Sequence, residues 1–137
     1  PGIGALERCA RLGLPAVVLE PKALGGLDAF AREVFARAEA EGAAFVVLAG
    51  FLRLLKLPPA WRGRVVNIHP ALLPEFGGKG MYGDHVHAAV LAAGRRESGC
   101  TVHLVDDRYD EGEIVLQERV PVVPGDDVHT LAARVFE

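Results

Sequence analysis

An open α/β sheet, parallel in its first half and extended by antiparallel strands towards the C-terminus, with helices on both faces, is the fold class that this sequence predicts. Three observations carry it. Short apolar runs alternate with helix-length amphipathic stretches in the first half, as in buried parallel strands joined by helical crossovers. The strand-like runs near the end stand too close together for such a crossover and read as an antiparallel addition. Glycine or proline punctuates almost every junction.

In chain order, Ala5 to Leu12 has helical spacing and stops at Gly13, with Pro15 beyond it. Ala16 to Leu19 (AVVL) reads as a short buried strand. After a loop from Pro21 to Gly26, Asp28 is the expected cap of a helix running to about Glu41. That helix places Phe30, Val34, Phe35 and Ala38 along one face. Phe45 to Ala49 (FVVLA) is the second expected strand and Val65 to His69 (VVNIH) the third, ending at Pro70. A glycine-rich loop with Pro74, Gly77, Gly78, Gly80 and Gly83 precedes a helix from Asp84 to about Ala93. Cys100 to Val105 alternates as a strand, Asp106 to Gly112 is an acidic loop, and Glu113 to Val120 is a further strand. Asp126 or Asp127 opens the last helix. In sheets of this class ligands collect at the carboxyl ends of the strands, where Gly50, His69 and the acidic loop fall.

The chain has 137 residues and a net charge of −3, with no basic excess to advertise a nucleic acid or an anionic membrane. Its length suits a single domain. Its longest apolar runs are far short of the ~20 residues of a membrane-spanning helix, and no signal peptide is visible. Cys9 and Cys100 form no CxxC pair, which makes a reducing cytoplasm the expected compartment. Asn67, Gln117 and Ser98 are each the sole residue of their type. Such depletion resembles a thermophile's bias or a skewed base composition. Against it, an asparagine inside an apolar strand invites a reason.

Side chains alternate along a strand, so Asn67 and His69 point the same way at a carboxyl end. A carboxamide and a protonated imidazole aimed at one point can stabilise a developing oxyanion, and the imidazole can also pass protons near neutral pH. For N-x-H alone, a hydrogen-bonded structural pair is the commoner explanation. A carboxylate beside His69 would orient it, and Asp110 in YDEG could supply it, although on spacing alone Asp110 is an ordinary turn residue. His85, His87, Cys100 and His103 resemble metal ligands at first sight. Positions i and i+2 diverge on a helix, however, and Cys100 and His103 fall on opposite strand faces, so a zinc site is disfavoured. His87 reads as a helix-face residue, His103 as a satisfied structural histidine with a place in the pocket wall as the alternative, and His129 as a surface one. Ser98 lacks a GxSxG context. Gly77-Gly78-Lys79-Gly80 lacks the P-loop pattern and reads as a loop over a cleft.

Five collinear blocks decide between these readings. They are Val46 to Leu55 (VVLAGFLRLL), Asn67 to Phe76 (NIHPALLPEF), Gly77 to Gly94 (GGKGMYGDHVHAAVLAAG), Gly99 to Gln117 (GCTVHLVDDRYDEGEIVLQ) and Val120 to Val135 (VPVVPGDDVHTLAARV). Together they resemble the phosphoribosylglycinamide formyltransferases. NIHPxLLP by itself marks the wider folate-dependent formyltransferase superfamily.

The resemblance implies a Rossmann-like, mostly parallel sheet and a reaction. The amine of glycinamide ribonucleotide would attack the formyl carbon of 10-formyltetrahydrofolate, with no metal and no acyl-enzyme, as a step of purine synthesis. It implies Asn67, His69 and Asp110 as the catalytic set. Leu52, Arg53, Leu54 and Leu55 would bind the folate largely through backbone, with Asn67 and the loop from Val105 to Asp110 opposite. Small-molecule substrates and a homodimer are among the implied partners. Residues 1–137 would form a single catalytic domain lacking the family's first strand, its GxGSN phosphate loop and its C-terminal end. Two further departures stand out. GGKGMYG is longer than the PGLHTH-like loop of some members, and Leu27 stands where some relatives carry a folate-contacting arginine.

Other acceptors would leave other marks. A methionyl-tRNA formyltransferase would carry a GAxPIQ-like loop and a basic surface, and a formyltetrahydrofolate hydrolase a GAKPYHQ-like loop. Neither loop is in this sequence. A ligand-binding α/β module without catalysis is the remaining alternative, opposed by the intact Asn67, His69 and Asp110.

Overall fold

The computed structural model describes residues 4–137. Helix α1 (Gly4–Leu12) and helix α2 (Leu27–Ala40) precede strand β1 (Val46–Ala49). A 3-10 turn (Pro59–Trp61) leads into β2 (Val65–His69), followed by α3 (Asp84–Ala92), β3 (Glu97–Leu104), β4 (Ile114–Pro121) and α4 (Val128–Phe136). The four strands form one sheet in the order β1-β2-β3-β4. β1 and β2 are parallel, with Leu48 opposite Asn67, and the two later pairings are antiparallel. The parallel start and antiparallel end follow the expectation. Among the described residues, the parallel part is this one pairing.

Ala16 to Leu19 corrects an expectation, for no strand forms there. Val17 and Val18 are 60% and 51% exposed. A run of β-branched residues becomes a strand only where a neighbour pairs its backbone groups, and in the described sheet β1 is an edge with β2 as its partner. Smaller differences lie at element ends. β3 begins three residues ahead of Cys100, because Glu97 to Gly99 pair with Arg119 to Pro121 of β4. Helix α2 is preceded by Gly26 with no side-chain cap, and Asp28 lies inside its first turn. Asp127 caps α4 as expected, accepting from the backbone N–H groups of His129 and Thr130, while the Thr130 hydroxyl bonds back to the Asp127 N–H.

The main core forms where α2 lays Phe30, Ala31 and Phe35 against Leu55, Leu57, Trp61 and Val65. Trp61 is fully buried, and its indole N–H donates to Glu39 at 3.1 Å. The Arg64 guanidinium lies 4.2 Å from the Trp61 ring centre and donates to the carbonyls of Ala43 and Ala44. This cluster fixes the start of β2, and hence the depth at which its carboxyl end emerges. On the other side of the chain's order, α3 packs on α4, with Val86, Val90 and Leu131 fully covered.

The segment after β2 is clamped to the sheet by two polar side chains. The Thr101 hydroxyl donates to the Ala71 carbonyl at 2.6 Å and accepts from the Leu73 N–H at 3.1 Å. Gln117 on β4 donates to the Leu73 carbonyl at 2.8 Å and to the Thr101 hydroxyl at 3.0 Å. The backbone leaving the sheet thus keeps its hydrogen bonds without a strand partner.

Leu131 is the least exposed apolar residue of α4. Leu131→Ala is expected to cost about 2–5 kcal/mol, the range for a core leucine truncation. The check is the urea midpoint, with an unchanged transition slope showing that native-state stability is what changed.

Candidate functional site

Two antiparallel partners build the floor of the site. Asn67 and His69 project from one face of β2, and the register sets His103 of β3 opposite Asn67 and Thr101 opposite His69. An irregularity between Val102 and His103 offsets β4 at this point. The loop from β3 to β4 then folds back over the floor. Its closest approach is at Gly112, where a methyl group would run into the Leu104 carbonyl, so only glycine fits.

That loop delivers Asp110, a non-glycine residue at φ 56° in the left-handed region. One carboxylate oxygen lies 3.4 Å from His103 Nε2 and 3.4 Å from Asn67 Nδ2. The other accepts from the Gly78 N–H at 3.0 Å and lies 3.5 Å from His69 Nδ1. Burial alone would push the Asp110 carboxyl up. The hydrogen bonds from His103 and Gly78, with the nearby imidazoles, outweigh it and hold the group below the usual carboxylate range.

His69 is buried, and both its ring nitrogens face acceptors. Nε2 lies 2.8 Å from the carbonyl of Phe76, whose φ of 55° turns that oxygen inward, and Nδ1 faces Asp110. A neutral ring can donate to one of them; a protonated ring donates to both. His103 is also enclosed: Nδ1 lies 2.9 Å from its neighbour's carbonyl on Leu104, and Nε2 lies 3.4 Å from the Asp110 carboxylate and 3.1 Å from the Asn67 amide nitrogen, whose N–H it can accept only when neutral. Burial pulls His103 down, but the bond to Asp110, the Leu104 carbonyl and the charge of Asp106 together raise it above its ordinary value.

Asn67, His69 and Asp110 share the wall of one cavity of about 730 Å³, within the ~300–1,000 Å³ usual for small-molecule sites. The three residues expected to act together therefore converge. Leu52 lines the same cavity. Arg53, Leu54 and Leu55 line a narrow adjoining cleft, and Val105, Tyr109 and Asp110 face them across it. The segment expected to hold the folate thus lies opposite the expected loop.

His103, for which the structural reading is preferred over the pocket one on sequence alone, belongs to the charged cluster instead. The signal exists but needs the strand register, since His103 matters because it pairs with Asn67. Gly78 and the Phe76 carbonyl were missed because they act through backbone atoms, which leave no mark of residue type. His87 is buried with an unpartnered Nδ1, and burial lowers its pKa despite Asp84. Among the described residues no group of three His, Cys, Asp or Glu side chains is placed to hold a metal ion.

Comparison with known proteins places this geometry in context. A family model described as formyl transferase matches residues 1–137. The trifunctional purine biosynthetic protein adenosine-3 of Drosophila pseudoobscura pseudoobscura is 43% identical, over 98% of this chain and 10% of its own length. The chloroplastic phosphoribosylglycinamide formyltransferase of Vigna unguiculata is 42% identical, over 97% of this chain and 43% of its own length. Among solved structures, glycinamide ribonucleotide transformylase 1 from Symbiobacterium toebii superposes with a TM-score of 0.85 at 40% identity, covering 95% of this chain and 60% of that one. Phosphoribosylglycinamide formyltransferase from Bacillus halodurans gives 0.84 at 34% identity, covering 99% and 69%. The chain thus spans under half the length of these two curated relatives.

The Asp110–His103 contact makes stability depend on pH in a defined direction. A raised histidine pKa adds stability below its unfolded value and loses it as pH rises through the folded value. A depressed carboxylate pKa adds stability above its unfolded value and loses it as pH falls. Both contributions coexist between about pH 4 and pH 6.5. His103→Gln is expected to lower the melting temperature more at about pH 5.5 than at about pH 9, as measured by calorimetry.

Proposed function

The chain belongs to the formyl transferase family, and from that premise we propose that it transfers the formyl group of 10-formyltetrahydrofolate to the amine of 5-phosphoribosylglycinamide, a step of purine biosynthesis. The observation that carries this reading is the convergence of Asn67, His69 and Asp110 on the wall of one cavity. The names of the similar enzymes from Vigna unguiculata and Symbiobacterium toebii support the choice of acceptor.

The amine nitrogen attacks the formyl carbon and a C–N bond forms. The carbonyl π electrons move to oxygen, giving a tetrahedral intermediate. Expulsion of the folate nitrogen, which takes up a proton, restores the carbonyl and yields tetrahydrofolate and the formylated amide. Donors aimed at the developing oxyanion accelerate such a step most, because they are already oriented when charge appears.

His69 in its charged form supplies one donor through Nδ1, the nitrogen beside Asp110. Asn67 supplies the other. In the resting site its amide nitrogen faces His103 and Asp110, so the formyl oxygen competes for an N–H already held in place. Asp110 balances the charge on His69 and takes the proton that the attacking amine must lose, directly or through water. The segment from Leu52 to Leu55 holds the pterin opposite the loop from Val105 to Asp110. The donor is a co-substrate, and no step needs a metal. No described helix is long and apolar enough to cross a membrane, and the two free thiols, Cys9 and Cys100, suit a reducing compartment such as the cytoplasm.

The acceptor is tested by incubating the full-length protein with 10-formyltetrahydrofolate and, in parallel, glycinamide ribonucleotide, methionyl-tRNA or water alone. Tetrahydrofolate is expected to appear with glycinamide ribonucleotide only. Release without an acceptor, or with the tRNA, would transfer the assignment to a hydrolase or a tRNA enzyme. Asn67→Ala and His69→Ala are each expected to lower kcat about a hundredfold or more. Turnover near that of the parent in either variant would remove that residue from the mechanism.

A further inference from the structure

We propose that Tyr109 is a specificity residue of the donor cleft: its hydroxyl occupies the Leu54 amide in the empty site, and the donor's heterocycle must displace it to bind. The inference rests on reading the cleft between Leu52–Leu55 and the loop at residues 105–110 as the folate slot.

Three observations carry it. First, the Leu54 N–H donates to the Tyr109 hydroxyl at 3.1 Å, which ties one wall of the cleft to the other. Second, the cleft so tied encloses only about 40 Å³, against the ~300 Å³ or more of ordinary small-molecule sites. In this conformation it does not admit a bicyclic ring. Third, Tyr109 also lines the neighbouring cavity of about 730 Å³ that holds Asn67 and His69. A side chain released from Leu54 therefore has room to rotate into.

The backbone on either side of Tyr109 is anchored. Asp107 before it accepts from the Arg62 guanidinium at 3.3 Å, and Asp110 after it accepts from the Gly78 N–H at 3.0 Å. Opening the cleft by moving the whole loop would break these bonds and disturb Asp110. Rotating Tyr109 alone breaks one bond and leaves the carboxylate in place. The side chain is thus the moving part.

The arrangement also selects. A backbone N–H that a bound ligand covers without pairing is costly, and the Tyr109 hydroxyl holds this one while the slot is empty. A ligand that displaces it must bring an acceptor of its own, such as the amide-like carbonyl or ring nitrogen on the edge of a planar heterocycle. An apolar ring of the same size opens the cleft but leaves Leu54 N–H unpaired, and is rejected.

The test compares the full-length protein with its Tyr109→Phe and Tyr109→Leu variants, using tetrahydrofolate as the probe. Affinity is read by calorimetry, association rate by stopped flow, and the KM for 10-formyltetrahydrofolate by turnover. Loss of one neutral hydrogen bond from the closed state is expected to strengthen tetrahydrofolate binding and lower the donor KM by about two- to tenfold in Tyr109→Phe. The association rate should rise with it. Unchanged or weaker binding in Tyr109→Phe overturns the proposal, and so does a gain confined to Tyr109→Leu, which would assign the barrier to the bulk of the ring. If the parent protein binds no tetrahydrofolate, the reading of the cleft as a folate slot falls and this proposal with it. If the parent binds and Tyr109→Phe binds equally, the hydroxyl's part alone falls.

Discussion

The carboxylate of Asp110 draws together segments that the chain keeps far apart. It faces His69 at the end of β2, His103 on β3 and the backbone of Gly78 in the loop before α3. The residue is mostly shielded from water, where an ionised carboxylate without partners would not persist. Partners on each side keep it charged, and they also justify its left-handed backbone, which a surface turn would fill with glycine or asparagine. Remove the negative charge and the imidazoles face one another across a buried space with nothing between them.

Much of the surrounding structure serves to bring that group to its place. Thr101 and Gln117 anchor the backbone that leaves β2, so the loop carrying Phe76 and Gly78 returns over the sheet at a fixed height. Gly112 lets the later loop press against Leu104. The Trp61 and Val65 core holds the other end of β2. Thr101, Gln117, Gly112, Trp61 and Val65 all lie outside the lining of the 730 Å³ cavity. Each sets the position of one that does, which is how a fold lends precision to a small polar cluster.

The cavity and the cleft differ in state as well as in content. The cavity is already of a size to take a ligand, whereas the cleft beside it is narrow, with the Leu54–Tyr109 bond joining its walls. Tyr109 belongs to both, one residue from Asp110 in the chain. Any motion that opens the cleft therefore begins next to the charged cluster, and the anchoring of Asp110 is what keeps that motion from spreading to it.

Local pattern was enough for the helices and for all four strands of the sheet, because apolar periodicity and glycine stops act within a few residues. It was also enough to set Asn67 and His69 on one face, since alternation in a strand leaves no choice. The likeness of NIHPALLPEF and YDEG to formyltransferase blocks marked Asp110 as their partner. The AVVL run shows where such reasoning stops: its residues favour a strand, yet a strand exists only with a neighbour, and neighbours are a tertiary fact. His103 makes the same point from the other side. Its residue type and position were plain, but its role depends on lying opposite Asn67, and cross-strand register is decided by the folding of the whole sheet. The backbone contacts of Phe76 and Gly78 and the Leu54–Tyr109 tie had no sequence signal at all, because they join groups distant in the chain through atoms that every residue possesses or through a hydroxyl that could have faced solvent.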